Sequence, residues 1–551
     1  MQSEAETPSA PKTPRRLAAW LLVLLPFGLF FSAGWRGLDF GEHWDQQHRV
    51  ADLAHSFKEQ TFLPEDYFYP SVTFYTTLLV AAPKAAEFAD ADRETEEFRG
   101  EFQRMLHTNE FQVRLRSVFL LLTSLSIVWV FATMLTWRKR FPEALVAAFL
   151  LAGSFEVGYH ARWVAPDALL MQFGGLCLLA CVGALRVERG RGWLRAAAIA
   201  AGLAAGTKYT GGVYLLPVLI VGAAQVQRVR AMAYLTLLFV LTFIVTTPGA
   251  LIEPTRFVAD VLYEMRHYQE GHFGYSVEPG FAHLAKNLRY LLTYGPSHWP
   301  ALSLVIGAFG VLGVVATWRE SKLLAAVLLV VPLVFVPYLS LQKVMFVRNL
   351  LLVLPVGALF AARGVGEAWE LLPNPKLRAT LTAAVGALFA ANLGFAHYAA
   401  NTIVNDDPEW LAGQLLGHLE ANDDRVIQLS PNVRTLLLQY GHEVPAHVRR
   451  FPTDEAEAVM LFPREVRTLG YWPSNDPGLK ETIGPLSTNY DYYATWWTQH
   501  VIVIDRDTLR ELALVALRPG VEHIFPDLAP PDEAPGADGN GKAAGNKSEA
   551  D

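Results

Sequence analysis

The sequence predicts an all-α polytopic membrane domain of about eleven helical passes, with a long first outer loop and a small C-terminal α/β domain on the same outer side. Three observations carry that prediction. About half of the 551 residues are hydrophobic (52%) and only 18% are charged, where soluble proteins run nearer a quarter charged. Charge-poor apolar runs recur along most of the chain. The loops between them alternate in charge. The mean hydropathy is positive, at +0.23. This balance excludes a soluble enzyme, a nucleic-acid binder and a disordered chain. The two cysteines, Cys177 and Cys181, sit four apart in an apolar run. They suit one helix face, not a disulfide framework or a zinc site.

A bilayer core needs about 20 apolar residues per helical crossing. The clearest runs are 17–35, 117–137, 168–185, 231–252, 299–318, 323–342 and 379–396. Two weaker ones are 143–159, interrupted by Glu156, and 349–362, which is short. A cleavable signal peptide is a poor reading of 17–35, because no small-residue cleavage site follows it. Only about thirty residues separate Arg195 from Arg228, too few for two full crossings. Residues 196–207 and 211–225 are therefore expected to form two short helices, with Lys208 at the turn. Non-helical backbone at membrane depth has to be buried in protein or line a wet cavity.

Orientation follows the Lys and Arg content of the short loops. Lys12, Arg15 and Arg16 precede the first run, so residues 1–16 are expected to be a cytoplasmic tail. The segments expected inside hold 17 basic and 6 acidic residues, the loop 36–112 holds 7 and 15, and the segment after His397 holds 12 and 24. The net charge of −7 therefore divides into a basic inner face and an acidic outer one. The expected location is the cell (inner) membrane.

The loop 36–112 has an aromatic front half and a charged back half, 84–110, which reads as a solvated amphipathic helix. Residues 69–83 are apolar but too short to span, and suit the interface. A second outer loop, 254–298, gathers His, Tyr and acidic residues. The membrane domain extends over 17–400, and 401–526 has the composition of a soluble α/β domain. Within it, 425–429, 466–471 and 501–504 look like buried strands. From 527 to 551, Pro, Gly, Ala, Asp and Glu give a disordered tail.

An ionisable residue at the membrane is a functional candidate by default. Six stand out: Asp45, Glu156, Arg162, Asp167, Lys208 and Arg348. The alternation places most of them on the outer side. Carboxylates can take a proton from a hydroxyl or hold a divalent cation, and cations at the interface suit a lipid phosphate. Each also has a structural reading. Asp45 alone reads as a cap or a surface acid. Asp167, after Pro166, suits an N-cap. Arg162 has Asp167 or Glu156 as ion-pair partners within reach, and Lys208 can snorkel. His267 and His272 lie in one loop with only weakly metal-like spacing. Composition alone leaves a transferase and a transporter both open.

At these residues the chain resembles the GT-C superfamily of integral-membrane glycosyltransferases, in the branch of protein O-mannosyltransferases and lipid A aminoarabinose transferases. The resemblance covers about 15–400 and rests on motifs in order. These are Asp45-Gln46 with Glu42 nearby, the aromatic stretch around Tyr67-Phe68-Tyr69-Pro70, Arg114-Leu115-Arg116-Ser117, His160-Ala161-Arg162-Trp163 leading to Asp167, Gly206-Thr207-Lys208-Tyr209, and Arg348-Asn349-Leu350-Leu351. It implies a polyprenyl-phosphate-linked sugar donor, an acceptor hydroxyl on a lipid, glycan or protein at the outer face, and an inverting single displacement. It implies Asp45 as general base and Asp167 as its assistant. Lys208 and Arg348, with help from Arg162, would neutralise the leaving phosphate. Glu42, Glu156 and His272 are secondary candidates. Gln46 stands where relatives often carry a second acid, and Gln is a weak metal ligand. Metal use varies in the superfamily, so no cofactor is implied; a divalent ion, if used, would fall to Asp45 and Asp167. The rival reading is a transporter or flippase for a lipid-linked anion. The C-terminal domain and the 84–110 segment have no named counterpart in the resemblance.

Overall fold

The computed structural model describes residues 20–38, 44–86, 102, 105–106, 108–187, 190–271, 276–405, 408–439, 441–449, 456–461, 481–483 and 501–505. It divides into two compact units, Met1–Asn405 and Asp406–Asp551.

Every expected crossing is helical. The first run is α1 (Leu24–Arg36), and the outer loop follows with α2 (Trp44–Lys58) and α3 (Val72–Ala86). The second crossing is α4 (Asn109–Arg138), opened by Thr108, whose hydroxyl accepts from the Phe111 amide. The third is split into α5 (Phe141–Ala152) and the one-turn-plus α6 (Phe155–His160), because Gly153 and Ser154 interrupt it and Ser154 caps the second piece. Next come α7 (Pro166–Arg186) and the expected hairpin, α8 (Gly190–Thr207) and α9 (Leu215–Ala223), joined by Lys208 and a 3-10 turn over Tyr209–Tyr214. The chain continues through α10 (Arg228–Thr246), the short α11 (Gly249–Ile252), and then α12 (Pro254–Glu270) and α13 (Phe281–Thr293) in the second outer loop. The last crossings are α14 (Pro300–Glu320), α15 (Lys322–Ser340), α16 (Leu354–Leu371) entered by a 3-10 turn over Val347–Val353, and α17 (Pro375–Asn405). Among the described residues, seven helices are long and apolar enough to cross a membrane, and three shorter apolar helices accompany them. The interfacial stretch 69–83 forms most of α3, and packs Phe74, Thr77 and Ala81 inward. Most of 84–110 lies outside the described residues.

Helix α7 is the axis of this unit and packs against α4 and α8. Small residues allow close crossings where no hydrophobic effect drives association. At the α14–α16 crossing, a Cβ on Gly313 would strike the Phe360 carbonyl, and one on Gly364 would strike the Phe309 carbonyl.

The polar ends sort as the loop charges predict. At one end, Glu320 of α14 meets Arg138 at 2.8 Å, Arg186 at 2.5 Å and Arg363 at 3.8 Å, while Glu143 takes Arg138 at 3.2 Å. These residues come from four segments expected to share the basic face. At the other end, segments expected outside are tied together. The Tyr67 hydroxyl donates to Glu253 at 2.7 Å, its amide to Asp260 at 2.9 Å, and Tyr209 donates to the Tyr67 carbonyl at 2.7 Å.

The second unit contains α18 (Pro408–Ala421), β1 (Ile427–Leu429), α19 (Pro431–Gln439), β2 (Ala458–Leu461), β3 (Glu481–Ile483) and β4 (Val501–Asp505). Its sheet has the order β1-β2-β4-β3. β1 runs parallel to β2, with Ile427 opposite Ala458. β4 runs antiparallel to β2 and to β3. Leu411, Leu415, Ile427, Leu437 and Met460 form its core. The strands expected at 425–429 and 501–504 are present. β2 and β3 were not expected, being only four and three residues long. The strand expected at 466–471 lies outside the described residues.

Candidate functional site

The site is assembled from three breaks in regular helix. The first is the turn before α7. Pro166 occupies N1, where its fixed φ is favourable and its missing N–H costs nothing, and the N-cap is Ala165, without a side-chain cap. Asp167 is therefore not the cap. It stands in the first turn, where a carboxylate is also favoured by the helix dipole, and its side chain is turned to a different use. The second break is Lys208, in extended conformation (φ −151°, ψ 138°) between α8 and the 3-10 turn. The third is the 3-10 turn Val347–Val353, which carries Arg348 and Asn349.

These breaks bring Asp167, Lys208 and Arg348 together. Lys208 Nζ donates to Asp167 Oδ1 at 2.8 Å and to Asn349 Oδ1 at 2.7 Å. Arg348 Nε lies 3.5 Å from Asp167 Oδ2. All three charged side chains are buried, with exposures of 2%, 4% and 6%. One carboxylate thus serves two cations in a place shielded from water. A cluster of ionisable side chains at such a depth is a functional candidate.

Two aromatic residues frame it. Lys208 Nζ stands 5.6 Å from the centre of the Tyr69 ring, and the Arg49 guanidinium stands 5.7 Å from the same ring. Both distances are within cation–π range. The Tyr268 hydroxyl of α12 lies 3.4 Å from Asn349 Oδ1 and accepts from Asn349 Nδ2 at 3.3 Å. The sequence reading did not select Tyr69, Asn349 or Tyr268 for the site. Tyr69 and Asn349 stand inside the motifs, and Tyr268 belongs to the aromatic and His-rich outer loop.

Arg162 is held differently. Its Nε donates to the Gly158 carbonyl at 3.1 Å, and Nη1 reaches the Gly37 carbonyl at 3.5 Å. A Cβ on Gly37 would collide with that guanidinium. Arg162 therefore ties the turn before α7 to the end of α1. Glu156 and His160 share α6, with His160 Nε2 3.6 Å from Glu156 Oε2.

Asp45 is the second residue of α2; its side chain, and all of Glu42 and His272, lie outside the described residues. Its neighbour Gln46 is buried and accepts from Arg116 Nε at 3.0 Å. Arg116 also donates to the Leu38 carbonyl at 2.7 Å and to Gln112 at 3.2 Å. The Gln46 amide thus fastens α2 to α4 through a fully buried arginine. Further along α2, Asp52 pairs with Arg49 at 2.6 Å and accepts from the Glu65 amide at 3.0 Å. Burial pushes its carboxyl up to about 6, against the pull of Arg49. Among the described residues, no three His, Cys, Asp or Glu side chains gather as a metal site would require.

Residues 101–249, which contain Arg116, Asp167 and Lys208, match the family model described as dolichyl-phosphate-mannose-protein mannosyltransferase. The fold is similar to that of ArnT from Cupriavidus metallidurans. In the apo state the TM-score is 0.52 at 12% identity, over 90% of this chain and 98% of that one. With undecaprenyl phosphate bound to ArnT, the TM-score is 0.50 at 13% identity, over the same shares. Ninety per cent of 551 residues exceeds the 405 of the first unit, so the likeness reaches into the second. No curated protein sequence matches the chain. The GT-C resemblance read from the motifs is met by a family model over part of the chain and by the fold over most of it.

Proposed function

We propose that the protein is a membrane glycosyltransferase that moves a sugar from a polyprenyl-phosphate-linked donor to an acceptor hydroxyl at the outer face, with inversion. The observation that carries this reading is the buried Asp167–Lys208–Arg348 cluster. It holds two cations at one shared carboxylate, withdrawn from water, where cations suit a lipid phosphate. The presence of undecaprenyl phosphate in a protein of the same fold supports the donor class.

In the proposed step, the Asp45 carboxylate takes the proton of the acceptor hydroxyl. The freed oxygen forms a bond to the sugar's anomeric carbon as the bond from that carbon to the phosphate oxygen breaks. The electron pair leaves with the phosphate, whose growing charge Lys208 and Arg348 neutralise. Charge that develops in the transition state is where preorganised donors are worth most. Asp167 keeps the two cations extended and spaced, and Asn349 fixes the Lys208 ammonium through the 2.7 Å bond. Arg162 holds the turn that carries Asp167. On this reading the protein is a multi-pass protein of the inner membrane, with the Glu320 end cytoplasmic, and the acceptor is a lipid, glycan or protein that reaches the outer face.

The test is sugar transfer from a polyprenyl-phosphate donor in detergent, wild type against Asp45→Asn. Transfer by wild type and a loss of about 100-fold or more in the variant are expected, the usual scale for a positioned base. Full activity in the variant would remove Asp45 from this role. Lipid translocation in proteoliposomes without any transfer would favour the transporter.

A further inference from the structure

Helix α6 carries a second polar feature that the phosphate site leaves unused. Glu156 is completely buried, and among the described residues neither of its carboxylate oxygens has a hydrogen-bond partner. His160, one turn on, is also buried, and its Nε2 likewise lacks one. The two groups face each other at 3.6 Å, too far for a hydrogen bond between them. Trp163 follows, half-buried, with its ring 4.7 Å from that of His160 and 4.9 Å from that of Tyr159.

Buried polar groups are almost always satisfied, and each exception calls for an explanation. A carboxylate and an imidazole nitrogen on one helix face, beside an indole, offer what a sugar ring needs. The first two exchange hydrogen bonds with hydroxyls, and the third packs against the apolar C–H face of the ring. The position fits as well. α6 leads within six residues to Pro166 and α7, and it packs against the 3-10 turn that bears Arg348. A sugar joined to a phosphate at Lys208 and Arg348 extends only a few ångströms from it.

We propose that Glu156 and His160, with Trp163 as platform, form the subsite that binds hydroxyl groups of the donor's sugar. This rests on the donor reading above. The experiment compares affinity for bare undecaprenyl phosphate with affinity for undecaprenyl phosphate carrying mannose, glucose or arabinose. Wild type should bind at least one of the three more tightly than the bare lipid. Glu156→Gln should lower that affinity about tenfold or more, towards the bare-lipid value, and leave bare-lipid binding within twofold. His160→Gln should act in the same direction, and serves if the first variant does not fold. Unchanged affinity in both variants, an equal loss for bare and glycosylated lipid, or a wild type with no preference for any glycosylated lipid would overturn the subsite. Failure of the donor reading looks different: wild type would then bind bare undecaprenyl phosphate no better than Lys208→Gln does.

Discussion

Lys208 Nζ stands 2.8 Å from Asp167 Oδ1 across 41 residues of sequence, and both side chains are withdrawn from solvent. The pair joins the first turn of one helix to the tip of a hairpin, and Arg348 closes the cluster from a third segment. A buried ion pair adds little net stability when intact, but breaking one side of it is expensive.

Asp167→Asn should therefore destabilise the membrane domain by about 3–5 kcal/mol, because two buried cations lose their shared counter-charge. Unfolding in detergent measures this. Adding Lys208→Gln to the same chain should recover part of the loss, since only one of the two cations then misses the Asp167 carboxylate.

Lys208→Gln and Arg348→Gln should each weaken binding of undecaprenyl phosphate by about ten- to a hundredfold, the range for a lost charge-assisted hydrogen bond. Titration of the purified protein with the lipid tests it. Unchanged affinity in both variants would remove the phosphate assignment.

Glu320→Gln acts at the opposite end. Glu320 meets Arg138, Arg186 and the buried Arg363. Its neutralisation should cost about 1–3 kcal/mol of stability and leave undecaprenyl phosphate affinity unchanged. A loss of lipid affinity would show that the two ends are coupled.

Asp52 gives the stability a pH dependence. Its carboxyl is pushed up to about 6 from 3.8, so the folded protein holds this proton more tightly than the unfolded chain. Stability from this group is fully present below about pH 4 and declines as pH rises to about 6, by about 1.4 kcal/mol per unit of difference in pKa. Above that window it contributes no further slope. Asp52→Asn should flatten the melting temperature over this range, and an unaltered profile would contradict it.

Much of the architecture was legible in the chain itself. Each expected crossing is a helix, because long apolar runs in lipid have almost no alternative that satisfies their backbone. The hairpin with Lys208 at its turn followed from the short distance between Arg195 and Arg228. The strands β2 and β3 were not legible, since three or four residues show no usable alternation. The local alternative for Asp167, an N-cap, did not hold: the helix starts two residues earlier than that cap requires, at Pro166, and the carboxylate pairs with a distant lysine instead.

The sequence by itself determined that the chain lives in a bilayer, how its loops sort by charge, and which few ionisable residues break that sorting. Hydrophobicity and charge act residue by residue, so they can be read in one dimension. The tertiary structure alone decided that Asp167 serves both Lys208 and Arg348, that Asn349, Tyr268 and Tyr69 enclose them, that Gln46 locks onto Arg116, and that the Glu156 carboxylate and His160 Nε2 face each other without hydrogen-bond partners among the described residues. Those relationships depend on how helices cross and where their ends break, and packing sets both among residues far apart in the chain.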